Sequence, residues 1–159
     1  KTMKQVFTVL LVLLLAQTGS SQQVYNPEAD AREDLKRAIE KADAADKHVF
    51  VMVGGNWCPW CRQLNKLLTN NQELNALLEE NYVLVKVNYS KENKNKPVLK
   101  RLDYPQRFGF PVLVILNNQG ERIHTQNTVY LEQGDGYSNK RIKEFLNNWS
   151  PDALDPAQY

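Results

Sequence analysis

The 159-residue chain contains two cysteines, Cys58 and Cys61, in the stretch Trp57-Cys58-Pro59-Trp60-Cys61. Three kinds of chemistry use two thiols so close together. The first is a structural staple. Closing a four-residue loop is worth roughly 2 kcal/mol by chain entropy, against about 4.7 kcal/mol for a loop of about 100 residues, so stapling favours a wider spacing. The second is a metal site. Two thiolates supply half of a tetrahedral zinc shell, and His48 and His124, the only histidines and both remote in sequence, would have to complete it. Copper(I) is satisfied by fewer, softer ligands and asks less of the chain. The third is reversible thiol–disulfide exchange: one thiolate attacks a substrate disulfide and the second resolves the mixed disulfide.

Position assigns roles under the third option. With Cys58 as a helix N-cap and Pro59 as the first helical residue, the Cys58 sulfur faces free backbone N–H groups and the positive end of the helix dipole. That stabilises its thiolate and makes it the attacking sulfur. Cys61 falls in register with Leu64 and Leu68, which predicts a buried, resolving thiol. Trp57 and Trp60 flank the pair and offer an apolar docking surface.

The elements around the pair follow from periodicity. Residues 22–27 read as a short linker. Pro27 and the acids Glu28, Asp30, Glu33 and Asp34 suit a helix start, and Ala31, Leu35, Ala38, Ile39 and Ala42 carry the helix to about Ala45. His48–Val53 is a continuous apolar run, as in a strand covered on both faces. A second helix begins at Cys58, is interrupted at Asn70–Asn71 and resumes to near Asn81. Val83–Val87 is the next strand. The polar, basic stretch 88–107 is expected to be helical in part, after Pro97. Val112–Leu116 and Glu121–Gln126, joined by an Asn117–Gly120 turn, form an antiparallel hairpin. Ser138 is an N-cap for a last helix with Ile142, Phe145, Leu146 and Trp149 on its apolar face. The fold class is therefore α/β with a mixed central sheet.

Composition limits the partners. Hydrophobic residues make up 42% of the chain, enough for a core, and a net charge of +2 gives no case for nucleic acid. Lys1 and Lys4 precede an apolar run from Val6 to Ala16, and Thr18, Gly19, Ser20 and Ser21 follow. This pattern reads as a cleaved signal peptide over residues 1–21, too short to span a bilayer. Without those residues 18 bases face 18 acids, so the excess charge lies in the leader. The working domain is expected over residues 22–149, with a tail at 150–159 and no stable membrane insertion after cleavage.

From Val49 to Trp149 the chain resembles the thioredoxin superfamily. His48–Val53 leading into Asn56-Trp57-Cys58-Pro59-Trp60-Cys61 is similar to that family's strand–CxxC–helix segment. Arg107–Val112 and the strand and hairpin after it resemble the family's cis-proline loop. Within the superfamily the chain looks most like exported proteins related to the C-terminal domain of transmembrane disulfide-interchange reductases, and like small disulfide-isomerase-like proteins. An extra N-terminal helix fits that group. The resemblance implies a cis Pro111 packed against Cys58, and Phe110 backbone groups that pair with a substrate strand. Trp57, Pro59, Trp60, Phe110 and Pro111 are then the expected substrate-contacting residues. One departure stands out: Met52 occupies the position of a buried Asp that helps deprotonate the resolving thiol in many members. Lys86 matches a lysine found near that Asp and becomes a candidate for proton transfer.

The resulting expectation is a thiol–disulfide oxidoreductase acting on protein disulfides through Cys58 and Cys61. It leans towards a reductase in an extracytoplasmic compartment, periplasmic in a Gram-negative cell and secreted otherwise. It needs no cofactor beyond the Cys58–Cys61 disulfide and no metal. Its partners are client proteins and a membrane electron donor, not nucleic acid. Two alternatives use the same fold: a copper metallochaperone and a non-catalytic secreted interaction protein.

Overall fold

The computed structural model describes residues 23–159. The expected signal peptide lies outside the described residues. Among the described residues no helix is long and apolar enough to cross a membrane.

Helix α1 spans Ala31–Ala45, β1 spans His48–Gly54, α2 spans Pro59–Asn70 and α3 spans Gln72–Asn81. There follow β2 (Tyr82–Asn88), α4 (Lys96–Arg101), β3 (Val112–Leu116), β4 (Arg122–Asn127) and α5 (Asn139–Asn148). The main sheet has the order β2-β1-β3-β4. β1 runs parallel to β2 and antiparallel to β3, and β3 pairs antiparallel with β4. The mixed α/β fold expected from the sequence is the fold observed.

Strand alternation divides the core into two layers. Phe50, Met52, Leu113 and Ile115 face the α2 and α5 side, where Cys61, Leu64, Leu68, Phe145 and Leu146 are buried. Val49, Val51, Val53, Val112 and Val114 face α1 and α4, against Leu35, Ala38 and Leu99. Every residue of β1 is buried. This explains why its sequence shows no polar alternation: both faces are covered. The strand's C-terminal end then delivers the chain directly to the cysteine pair.

The structure corrects four local expectations. The first helix does not start at Pro27. It is capped by Asp30, whose carboxylate accepts from Arg32 N (2.9 Å) and Glu33 N (3.3 Å), satisfying N–H groups that a helix start leaves free. Residues 23–27 are not a linker, because Tyr25 is buried in the core. Between β4 and α5 lie a 3-10 turn at Thr128–Leu131 and a small hairpin of β5 (Glu132–Gln133) and β6 (Gly136–Tyr137), which periodicity had not marked. Two-residue strands are too short to show a period. The tail contains two short 3-10 turns, Asp152–Leu154 and Pro156–Gln158.

Candidate active site

Cys58 is the N-cap of α2 and Pro59 is in its first turn, as the sequence suggested. The Cys58 Sγ accepts the Cys61 backbone N–H at 3.1 Å. Cys58 and Cys61 form a disulfide. Burial is asymmetric in chemistry rather than in number. Cys58 sits where α2 begins, beside the exposed Trp57, whereas Cys61 is sealed inside the layer that holds Leu64 and Met52.

The Phe110–Pro111 peptide bond is cis. The Phe110 carbonyl oxygen stands 3.7 Å from Cys58 Sγ, within reach of a reduced thiol. Thr128 Oγ1 donates to the Pro111 carbonyl at 2.6 Å and ties this loop to the turn after β4. The expected substrate-contacting residues thus converge on the pair from two segments.

Aromatic side chains flank both sides. Trp57 meets Phe110 edge-to-face at 5.4 Å, and Phe110 in turn lies 4.7 Å from Tyr89. The Trp57 indole N–H donates to the Tyr89 carbonyl at 2.7 Å. Trp60 meets Tyr137 edge-to-face at 5.4 Å. Trp57 is 55% exposed and Pro59 is exposed, while Trp60 is half-buried, so the apolar surface offered to solvent comes mainly from Trp57.

Lys86 pairs with Met52 across β1 and β2 and shares its face of the sheet. Partial burial lowers its pKa from the usual lysine value. It also borders a groove along the β2 edge with Asp34, Arg37 and Lys41. The two histidines stay away from the cysteines. His48 opens β1, at the end opposite Gly54, and its Nδ1 lies 2.8 Å from the Trp149 carbonyl; His124 stacks on Trp149 at 4.0 Å.

Two residues beside the pair were not singled out in the sequence. The Asn56 side chain clasps the N-terminal segment: Oδ1 accepts from Val24 N and Tyr25 N, both at 2.9 Å, and Nδ2 donates to the Tyr25 carbonyl at 2.8 Å. This clasp places the Tyr25 phenol beneath the site. A Cβ on Gly54 would stand 2.5 Å from Cys61 Sγ and 2.6 Å from the Tyr25 hydroxyl oxygen. Glycine is required there because sulfur and phenol both crowd its Cα. That glycine was the one available signal, since no local pattern links Tyr25 to Asn56.

Residues 30–118 match the thioredoxin-like family, and the chain belongs to it. Among solved structures it is similar to a disulphide isomerase from Xylella fastidiosa Temecula1, with 26% identity and a TM-score of 0.73 over 81% of this chain and 98% of that one. It also resembles a DsbH oxidoreductase, at 17% identity and a TM-score of 0.55, over 70% of this chain and 78% of that one, which bears on the fold alone. Human spermatogenesis-associated protein 20 is 36% identical over 66 residues, which are 42% of this chain and 8% of that protein. The matched stretch is therefore a small part of that relative. Fold and CxxC disulfide together are of the thiol–disulfide oxidoreductase type.

Proposed function

We propose that this protein reduces disulfides of client proteins through its Cys58–Cys61 dithiol, in an extracytoplasmic compartment, and is recharged by a membrane electron donor. The observation that carries this reading is the pairing of an N-cap sulfur with a buried partner three residues on. The Cys61 N–H and the α2 dipole favour a thiolate at Cys58, which is the nucleophile of thiol–disulfide exchange. Cys58 attacks one sulfur of the client disulfide. A Cys58–client bond forms, the client bond breaks, and its electron pair leaves on the other client sulfur. Cys61, as a thiolate, then attacks Cys58 Sγ and releases the second client sulfur. Two electrons pass to the client and the Cys58–Cys61 disulfide remains. The donor returns two electrons and two protons to restart the cycle.

Trp57, with Pro59 and Trp60 beside it, supplies the apolar contact for the client. Phe110 and the cis Pro111 line the other side of the site, where Pro111 packs against Cys58 and Phe110 backbone groups pair with the client strand. In this reading Lys86 is a lesser contributor, through its charge, to proton release at Cys61. The similarity to the Xylella disulphide isomerase supports the reaction class. The leader-like residues 1–21 support export.

The test is a trap. Cys61→Ser removes the resolving sulfur, so client proteins should accumulate as disulfide-linked complexes through Cys58, released by a thiol reductant. Absence of such complexes from cells expressing Cys61→Ser, or complexes that persist on further Cys58→Ser substitution, would falsify the attack-and-resolve assignment. Tight stoichiometric copper(I) binding by the reduced protein with no disulfide reduction would favour a metallochaperone instead.

A further inference from the structure

Resolution requires Cys61 to carry negative charge inside the protein. A buried thiolate without a charge partner or hydrogen bond is unfavourable, and burial alone raises a thiol's pKa. Cys61 has no exposed surface. Met52 offers it no polar atom, and among the described residues no Asp or Glu is buried. The titratable groups of this core layer are Cys58 on the same helix, Tyr25 from the N-terminal segment, Tyr82 on β2 and Tyr137 on β6, with Lys86 beside Met52 on β2.

Of these, Tyr25 has the geometry. The residue is 1% exposed, and its hydroxyl has no hydrogen-bond partner among the described residues in the disulfide form. A buried hydroxyl left unpaired costs about 1–3 kcal/mol, so a position that keeps one calls for an explanation. The unpaired oxygen and Cys61 Sγ lie on the same side of Gly54, each within 2.6 Å of the point a Cβ would occupy. The side chain of Asn56, a residue of the active-site loop itself, fixes this segment: it accepts from Val24 N and Tyr25 N and donates to the Tyr25 carbonyl. Burial, with the Tyr137 phenol adding to it, pushes the Tyr25 pKa far up, so the phenol keeps its proton at neutral pH and can act as a donor.

We infer that the Tyr25 hydroxyl donates a hydrogen bond to the Cys61 sulfur once the disulfide opens, and so stabilises the resolving thiolate in place of the missing carboxylate. The phenol transfers no net proton. Cys61 gives its proton to solvent or to the departing client sulfur, and the Tyr25 O–H lowers the cost of the charge left behind. In the reverse direction the same bond stabilises Cys61 as the leaving group when a thiolate attacks Cys58. This inference rests on the oxidoreductase reading above.

The experiment follows the two halves of one turnover separately. Reduced protein is mixed with the aromatic disulfide 5,5′-dithiobis(2-nitrobenzoate) in a stopped-flow instrument. Attack by Cys58 releases one coloured thiolate, and resolution by Cys61 releases the second. Tyr25→Phe should slow the second phase about tenfold and move its pH midpoint upward, the effect of losing one hydrogen bond to a charged group, while the first phase stays within about twofold. A second phase with the same rate and pH midpoint in both proteins overturns the role of Tyr25. A wild-type protein that releases only one thiolate per molecule overturns the oxidoreductase reading itself. Direct titration of the Cys61 thiolate by ultraviolet absorbance in a Cys58→Ser background gives an independent readout. Adding Tyr25→Phe there should raise the titration midpoint, and an unmoved midpoint contradicts the inference even if the melting temperature changes.

Discussion

At the residue scale, the chemistry separates into what Cys58 owes to the helix and what Cys61 owes to its surroundings. Cys58 needs only its place at the start of α2, where the Cys61 N–H meets its sulfur at 3.1 Å. Moving that charge off the helix end should raise the thiol's pKa. Replacing Pro59 with Gly loosens the first turn, and alkylation of Cys58 by iodoacetamide should then need a higher pH, read from the rate against pH. The N-cap position of Cys58 is legible in the sequence because a CxxC with Pro after its first Cys is a local pattern. The surroundings of Cys61 are not. Tyr25 lies 36 residues away in sequence, and its approach is set by Asn56 and by the missing Cβ of Gly54. Gly54→Ala puts a methyl 2.5 Å from Cys61 Sγ. It should destabilise the protein by about 1–3 kcal/mol in chemical denaturation, as overpacking does, and slow resolution as well.

At the element scale, β1 and β3 were visible because strands buried on both faces are continuous apolar runs, and Ser138 was visible as an N-cap. The segment before α1 is too short to show a period, so its place in the core is not legible in the sequence. Its one buried ring and its backbone contacts with Asn56 come from tertiary structure, which periodicity cannot report. Asn56→Ala removes three hydrogen bonds and leaves their partners on residues 24 and 25 unpaired. It should cost about 1–3 kcal/mol in urea unfolding and speed amide exchange in residues 24–26. If stability and exchange are unchanged, the segment is not clasped as described. Helix α2 makes a different demand: Leu64 and Leu68 seat it on the sheet, and Leu64→Ala should lose about 2–5 kcal/mol in the same assay.

At the scale of the whole molecule, stability has an alkaline limit built from buried phenols. Burial raises the pKa of Tyr25, Tyr82 and Tyr137, the last to about 12. In the unfolded chain these phenols ionise near their ordinary value of about 10. Between those pH values the unfolded state releases protons that the folded state holds, so folding stability is intact below about pH 10 and falls as pH rises towards 12. A pH titration should show these tyrosines ionising together with loss of far-ultraviolet dichroism. Ionisation of all three with the fold intact would contradict their burial. The Tyr82 hydroxyl, which donates to the Leu146 carbonyl at 2.6 Å, links this limit to the seat of α5.

The central claim is that Cys58 and Cys61 turn over disulfides, with Cys58 as nucleophile. Dithiothreitol-driven reduction of insulin tests it most directly. The wild-type protein should accelerate the appearance of insulin turbidity well beyond dithiothreitol alone, and Cys58→Ser should return the rate to that background. A wild-type protein no faster than dithiothreitol alone, or a Cys58→Ser variant as fast as wild type, would contradict it.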